Sequence, residues 1–133
     1  MDGYRRGGHV KYSLKIHLIF VTKYRRKLFY RKLKEDVKQY LCDVAIRQNC
    51  SIIKMETDID HVHVLLEYAP SQSVSDIAGF LKQYSAYKMW RKYKVVLLRY
   101  YWKRNALWSD GYFVSSIGQM SQATIETYIQ NQG

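Results

Sequence analysis

The patterning of apolar residues predicts an α+β fold: a ferredoxin-like antiparallel sheet in the order β-α-β-β-α-β, with helices on one face and one extra helix at the C-terminus. Residues 10–21 (VKYSLKIHLIFV) alternate apolar and polar, the period of a half-buried strand. Residues 31–49 carry Leu33, Val37, Tyr40, Leu41 and Val44 at the spacing of one helical face. Two further strand-like runs, 50–57 and 61–68, are separated only by Asp58-Ile59-Asp60, which predicts a hairpin.

Taken in order, the first strand puts Val10, Tyr12, Leu14, Ile16, Leu18 and Phe20 on one face, and Lys11, Ser13, Lys15 and His17 on the other. Residues 22–30 (TKYRRKLFY) follow as a basic connection interleaved with aromatics. Pro70, the single proline, closes the hairpin, and Ser73 with Asp76 three residues on has the form of a capping box. The helix it starts is expected to run through Val74, Ile77, Leu81 and Tyr84 towards Trp90. Residues 94–106 have no clear period. Tyr112–Ile117 is a fourth strand, Gly118 breaks it, and Ser121 can cap a last helix reaching Gln132. With no repeat or low-complexity segment, residues 1–133 are expected to form one domain, large enough to bury a core.

Charge narrows the partner. The chain has 22 Lys/Arg against 11 Asp/Glu, a net charge of +11. The excess sits in two blocks: residues 1–40 hold 12 basic and 3 acidic groups, and residues 82–104 hold 8 and none. Such blocks suit a polyanion, since each phosphate neutralised releases counterions. Lys23, Arg25, Arg26 and Lys27 in the first block, and Lys82, Lys88, Arg91 and Lys92 in the second, are the candidates for a nucleic-acid backbone. Tyr and Trp among them could stack unpaired bases, although Trp90, Trp102 and Trp108 are each more ordinary as core or interface residues. No run approaches the ~18 apolar residues of a membrane span, and the N-terminus lacks an apolar signal core, so an intracellular protein without a membrane partner is expected. Cys42 and Cys50 fit neither a zinc pair nor a disulfide framework and read as reduced thiols.

Two constellations carry chemistry. In Asp60-His61-Val62-His63 the histidines are two apart on a strand, so both imidazoles point to one face and can close on a metal ion. The bland reading is a pair of ordinary hydrogen-bonded strand histidines, and on this motif alone the two are about evenly matched. Tyr128 and Gln132 are four apart on the last helix and share a face. A phenol beside a neutral oxygen ligand makes sense if a metal sits between them. Ile125, Tyr128 and Ile129 would equally make a core stripe, and by spacing alone that is the stronger reading.

These residues carry a resemblance. The chain resembles the single-tyrosine transposases of the HUH superfamily, found in small insertion sequences and related to the REP-associated tyrosine transposases. The matching stretches are the first strand with KYRRK (23–27), DHVHVLL (60–66), LW-x3-YFV-x2-IG (107–118) and YIQNQ (128–132), in that order over nearly the whole chain. The resemblance implies that His61, His63 and Gln132 bind Mg²⁺ or Mn²⁺ and that Tyr128 attacks a DNA phosphodiester. A 5′-phosphotyrosine link and a free 3′-OH would result, and reversal with another 3′-OH would rejoin strands without ATP. It further implies hairpins of single-stranded transposon ends as substrate, a cytoplasmic, DNA-associated protein, and a homodimer with active sites shared between subunits. Gly118 would lie in the connection that lets the tyrosine helix move. Gln132 is one residue from the end of the sequence, where a helix frays unless it docks, and docking on a second subunit would hold it.

Two other readings stay open at this level. One is a domesticated hairpin-DNA nickase of the same family. The other is a non-catalytic ferredoxin-like module for single-stranded nucleic acid, which explains charge and aromatics but leaves the His pair and the Tyr–Gln spacing as coincidences.

Overall fold

A computed structural model describes residues 5–7, 10–12, 14–116 and 122–132. The elements are β1 (Arg5–Gly7), β2 (Val10–Tyr12), β3 (Leu14–Val21), α1 (Arg31–Arg47), β4 (Ser51–Thr57), β5 (His61–Tyr68), α2 (Val74–Leu97), β6 (Phe113–Ser116) and α3 (Gln122–Gln130). The main sheet is antiparallel throughout, in the order β4-β5-β3-β6. With β3, α1, β4, β5, α2 and β6 as the six units, this is the ferredoxin-like arrangement expected from the sequence.

Register explains the two faces. Ile16, Leu18 and Phe20 of β3 pair with Leu66, Val64 and Val62 of β5, and all six are buried in the main core. Val37, Leu41 and Val44 of α1, with Ile77, Leu81 and Met89 of α2, cover them from the same side. The intervening residues Ile19 and Val21 face the other way. There they form a small cluster with Ile129 of α3, against which Phe113 and Tyr128 also pack. The extra helix therefore lies on the sheet face opposite α1 and α2.

Four boundaries differ from the sequence reading, one of them the last helix, which was expected to reach Gln132 and ends at Gln130, the chain turning at 131–132. The run 10–21 is not one strand: residues 10–12 pair with residues 5–7 in a separate two-stranded sheet, and only Leu14–Val21 joins the main sheet. Alternation gives the period of a strand but not its partner, so it reads straight through the change of sheet. Helix α2 runs to Leu97, past Trp90, because Leu97 is itself fully buried in the core; Tyr93 interrupts the helical dihedrals on the way (φ −121°, ψ 32°). The fourth strand is described as Phe113–Ser116. Ile117, Gly118 and Ser121, expected as strand end, hinge and cap, lie outside the described residues.

Local signals were otherwise followed. The Ser73 hydroxyl accepts from the Asp76 amide at 3.3 Å and starts α2. Gln48 closes α1, and Asn49 turns the chain away with φ 58°. The loop after α2 is held by buried aromatics: Trp90 Nε1 donates to the Ala106 carbonyl (2.8 Å), Trp108 Nε1 to Ser85 Oγ (3.0 Å) and the Tyr101 hydroxyl to the Lys23 carbonyl (2.9 Å). No helix among the described residues is long and apolar enough to cross a membrane.

Candidate active site

The alternation of β5 buries Val62, Val64 and Leu66 beneath the helices and leaves His61 and His63 on the α3 face, opposite Val21 and Ile19. Both imidazoles are half-buried and both are engaged. His61 Nδ1 lies 2.8 Å from Asp60 Oδ1. Because a carboxylate can only accept, Nδ1 carries the proton, and the lone pair of Nε2 is left for a cation. His63 Nε2 lies 2.8 Å from Nδ1 of His17, a diagonal neighbour on β3. Burial, followed by the neighbouring His17, holds the His63 pKa below the usual histidine range, so this ring stays neutral at pH 7.

The KYRRK segment frames this pair. Residues Lys23–Arg25 form a 3₁₀ turn in which Tyr24 (φ 59°) and Arg25 (φ 50°) both adopt the left-handed conformation, costly for residues with a Cβ. The turn is anchored where it crosses the β4–β5 hairpin: the Thr22 amide donates to the Asp60 carbonyl (2.9 Å), and the Leu28 and Phe29 amides both reach the Ile59 carbonyl. It brings Arg25 Nε within 3.5 Å of Asp60 Oδ2. Arg25, Asp60 and His61 thus form a line of contacts ending on the imidazole, and Asp60 is 8% exposed. Asp60, Arg25 and His17 were not assigned these roles from the sequence. Asp60 stands beside His61 in the motif, but neither cross-strand register nor the path of the 22–30 segment can be read from spacing.

Tyr128 and Gln132 each have a partner within the fold, and the cluster on which Tyr128 packs includes Ile19 and Val21, the cross-strand partners of His63 and His61. Tyr128 packs its ring on Phe113 (centroids 5.3 Å apart), and burial raises its pKa above that of a free phenol. Gln132, in the turn after α3, accepts a hydrogen bond on Oε1 from Ser109 Oγ (3.2 Å). The α3 residues that share a cleft with His61 are Glu126, Ile129 and Gln130, with Arg25, Lys27 and Asp60 on the other wall. Among the described residues no three His, Cys, Asp or Glu side chains are grouped to hold a metal. Two imidazole nitrogens completed by the amide oxygen of Gln132 or an anionic phosphate oxygen still fit a divalent cation with positions left open.

The basic candidates divide. Arg25 pairs with Asp60, and Arg26 and Lys23 lie over the Tyr24 ring, at 5.6 and 5.5 Å from its centroid. Lys27 borders the His61 cleft. Lys82 donates its ammonium to the Ser109 (3.0 Å) and Gly111 (2.7 Å) carbonyls, and burial lowers its pKa. Lys88 lies over Tyr40 and Tyr84, Arg91 donates to the Tyr87 hydroxyl, and Lys92 pairs with Asp36. The second basic block is therefore more engaged within the fold than its charge alone suggests.

The site is a ferredoxin-like sheet with two histidines on one face and a tyrosine-bearing helix laid over that face. The profile of the family described as "Transposase IS200 like" matches residues 10–132, and the chain belongs to that family. It is a transposase, an enzyme of DNA strand cleavage and transfer. It is 32% identical over 124 residues to the transposase for insertion sequence element IS200 of Salmonella typhimurium, covering 93% of this chain and 80% of that one. It is 33% identical over 128 residues to the ISDra2 transposase TnpA of Deinococcus radiodurans, covering 96% and 90%. The crystal structure of a candidate transposase from Deinococcus radiodurans superposes with a TM-score of 0.88 at 29% identity, over 96% of this chain and 97% of that one. A REP-associated tyrosine transposase bound to a REP hairpin shares the fold at a TM-score of 0.59 and 12% identity, over 97% and 68%. Transposases of this family are generally metal-dependent.

Proposed function

We propose that residues 1–133 act as one HUH transposase domain that cleaves and rejoins single-stranded DNA, with Tyr128 as nucleophile and His61, His63 and Gln132 as metal ligands. The observation that carries this reading is the placement of two imidazoles, two residues apart on β5, on the sheet face over which the Tyr128 helix lies. Asp60 holds Nδ1 of His61 and so turns its Nε2 to the cation, while burial holds the His63 pKa below the usual histidine range and its Nε2 would exchange His17 for the metal. A bound Mg²⁺ or Mn²⁺ would supply Lewis-acid polarisation of the scissile phosphate. The Tyr128 oxygen attacks phosphorus as the phenol gives up its proton. The P–O3′ bond breaks, leaving a 5′-phosphotyrosine and a strand end that takes up a proton as a 3′-OH. Attack by another 3′-OH reverses the exchange without ATP. With its pKa raised by burial, Tyr128 is neutral at pH 7, which is why it needs a polarised phosphate.

Tyr128 is packed on Phe113 and Gln132 is bonded to Ser109, so in this reading each leaves that partner to act at the metal, through a shift of α3 or an exchange of the helix with a second copy. A homodimer with shared sites provides the exchange. The substrate class is a hairpin of single-stranded transposon-end DNA, as in the hairpin complex of the REP-associated transposase, and the protein works in the cytoplasm on DNA. The test is a denaturing gel of the protein with labelled hairpin DNA from its own flanking element, with Mg²⁺ or Mn²⁺. A metal-dependent covalent band that disappears in Tyr128→Phe is expected. A band that survives this substitution moves the nucleophile to another tyrosine, and tight binding with no band favours a binding module.

A further inference from the structure

We propose that the cleft between Tyr24 and Trp102 is a subsite for one unpaired nucleobase of a single DNA strand, with Lys23 and Lys103 at its flanking phosphates. This rests on the DNA-transposase reading and adds a contact away from Tyr128. The three tryptophans separate sharply. Trp90 and Trp108 are buried and their indole nitrogens are bonded inside the fold, whereas Trp102 is 89% exposed. An indole left in water beside two cations, Lys103 and Arg104, needs an explanation other than packing.

The surroundings supply one. Lys23, Tyr24, Tyr101, Trp102, Lys103 and Ala106 line a cleft of 430 Å³. Its walls are held in advance. Tyr101, next to Trp102 in the chain, is 1% exposed, and its hydroxyl donates to the Lys23 carbonyl at 2.9 Å. The Lys23 amide in turn donates to the Leu107 carbonyl at 2.8 Å. The two loops carrying Tyr24 and Trp102 are thus tied together beneath the rings. Tyr24 is half exposed and held at φ 59°, a conformation that persists only where the surroundings enforce it. A wider basic cleft continues from this one, sharing Lys23, Lys103 and Ala106, with Asp110 as its one acidic lining residue.

The exposed Trp102 indole is a flat, electron-rich platform, and with Lys103 beside it and Lys23 and Arg26 over the Tyr24 ring it matches a nucleobase and its phosphates; every base offers a π-face, so little sequence preference is expected. A paired base keeps its faces inside the helical stack, so the subsite selects unpaired nucleotides. Its position suits the reaction: the residue after Tyr24 is Arg25, which contacts Asp60 beside His61. One strand can lie along this segment from the aromatic cleft to the histidines.

The test compares the intact protein with Trp102→Ala and Trp102→Phe, binding a fluorescent thymidine homopolymer and a duplex of equal length. Base–aromatic stacking is worth about 1–3 kcal/mol per base, so Trp102→Ala should weaken single-strand binding about 5- to 150-fold. Its salt dependence should be unchanged, duplex binding should stay within about twofold, and Trp102→Phe should recover most of the loss. Lys103→Ala should reduce the salt slope by about 1. Wild-type affinity in Trp102→Ala, equal losses for single strand and duplex, or no measurable binding of the homopolymer by the wild-type protein would each overturn the subsite. The covalent assay on the wild-type protein separates this from the wider reading. A wild-type protein that shows Trp102-dependent binding but no adduct would fail the nucleophile assignment and leave the subsite standing.

Discussion

Replacing Asp60 with alanine is expected to weaken metal binding about 10- to 100-fold, the usual effect of removing the partner that orients a ligating histidine. Asp60 is 8% exposed, and its Oδ1 lies 2.8 Å from His61 Nδ1. A hydrogen bond to a charged group is worth about 1.5–3 kcal/mol, and the 10- to 100-fold range corresponds to about 1.4–2.7 kcal/mol, so the two figures agree. Without the carboxylate, His61 can rotate or place its proton on Nε2, the nitrogen needed for the cation. Asp60→Asn is the sharper variant: its amide oxygen can still accept from Nδ1, so it should lose less than about tenfold if orientation is what matters. The assay is calorimetric titration with Mn²⁺, alongside the Mn²⁺ concentration giving half-maximal covalent attachment to DNA. High Mn²⁺ should restore attachment by Asp60→Ala. A folded Asp60→Ala protein with wild-type Mn²⁺ affinity would refute the argument. Loss of folding in both variants would instead assign Asp60 to the anchoring of the 22–30 segment through Arg25.

Acid should destabilise the metal-free fold through His63. Its folded pKa is lowered by burial and by His17, so in the window below about 6.5 the unfolded chain takes a proton that the folded chain refuses. The stabilisation is complete above the unfolded pKa and is lost as pH falls to the folded one; denaturant midpoints with a chelator present should show this, and His63→Gln should flatten the trend. Lys82→Met should lower stability by about 1–3 kcal/mol, because the ammonium serves the Ser109 and Gly111 carbonyls, and should change the salt slope of DNA binding little. A fall in slope of about 1 with stability intact would return Lys82 to the DNA contacts. Light scattering should give twice the monomer mass of 15.9 kDa, and a strict monomer would rule out sharing of α3 between subunits.

The sequence alone determined the fold class and the two candidate pairs. Period-2 alternation in 14–21 and 61–68 sets which residues face the helices, and that choice also puts His61 and His63 on one side together, since strand geometry allows no other arrangement. Helical spacing would place Tyr128 and Gln132 on one side of the last helix, but α3 ends at Gln130 and Gln132 lies in the turn after it. Tertiary structure decided what periodicity cannot encode, which is the partner of each group. It split residues 10–12 from β3 by pairing them with residues 5–7, and it carried α2 seven residues past Trp90 to bury Leu97. It placed His17 against His63 and folded the KYRRK turn over the hairpin, so that Arg25 reaches Asp60 beside His61. It buried two tryptophans and exposed the third. Each of these is set by contacts between segments distant in the chain, whose energies depend on register and loop path, whereas faces and spacing follow from the local geometry of a strand or a helix.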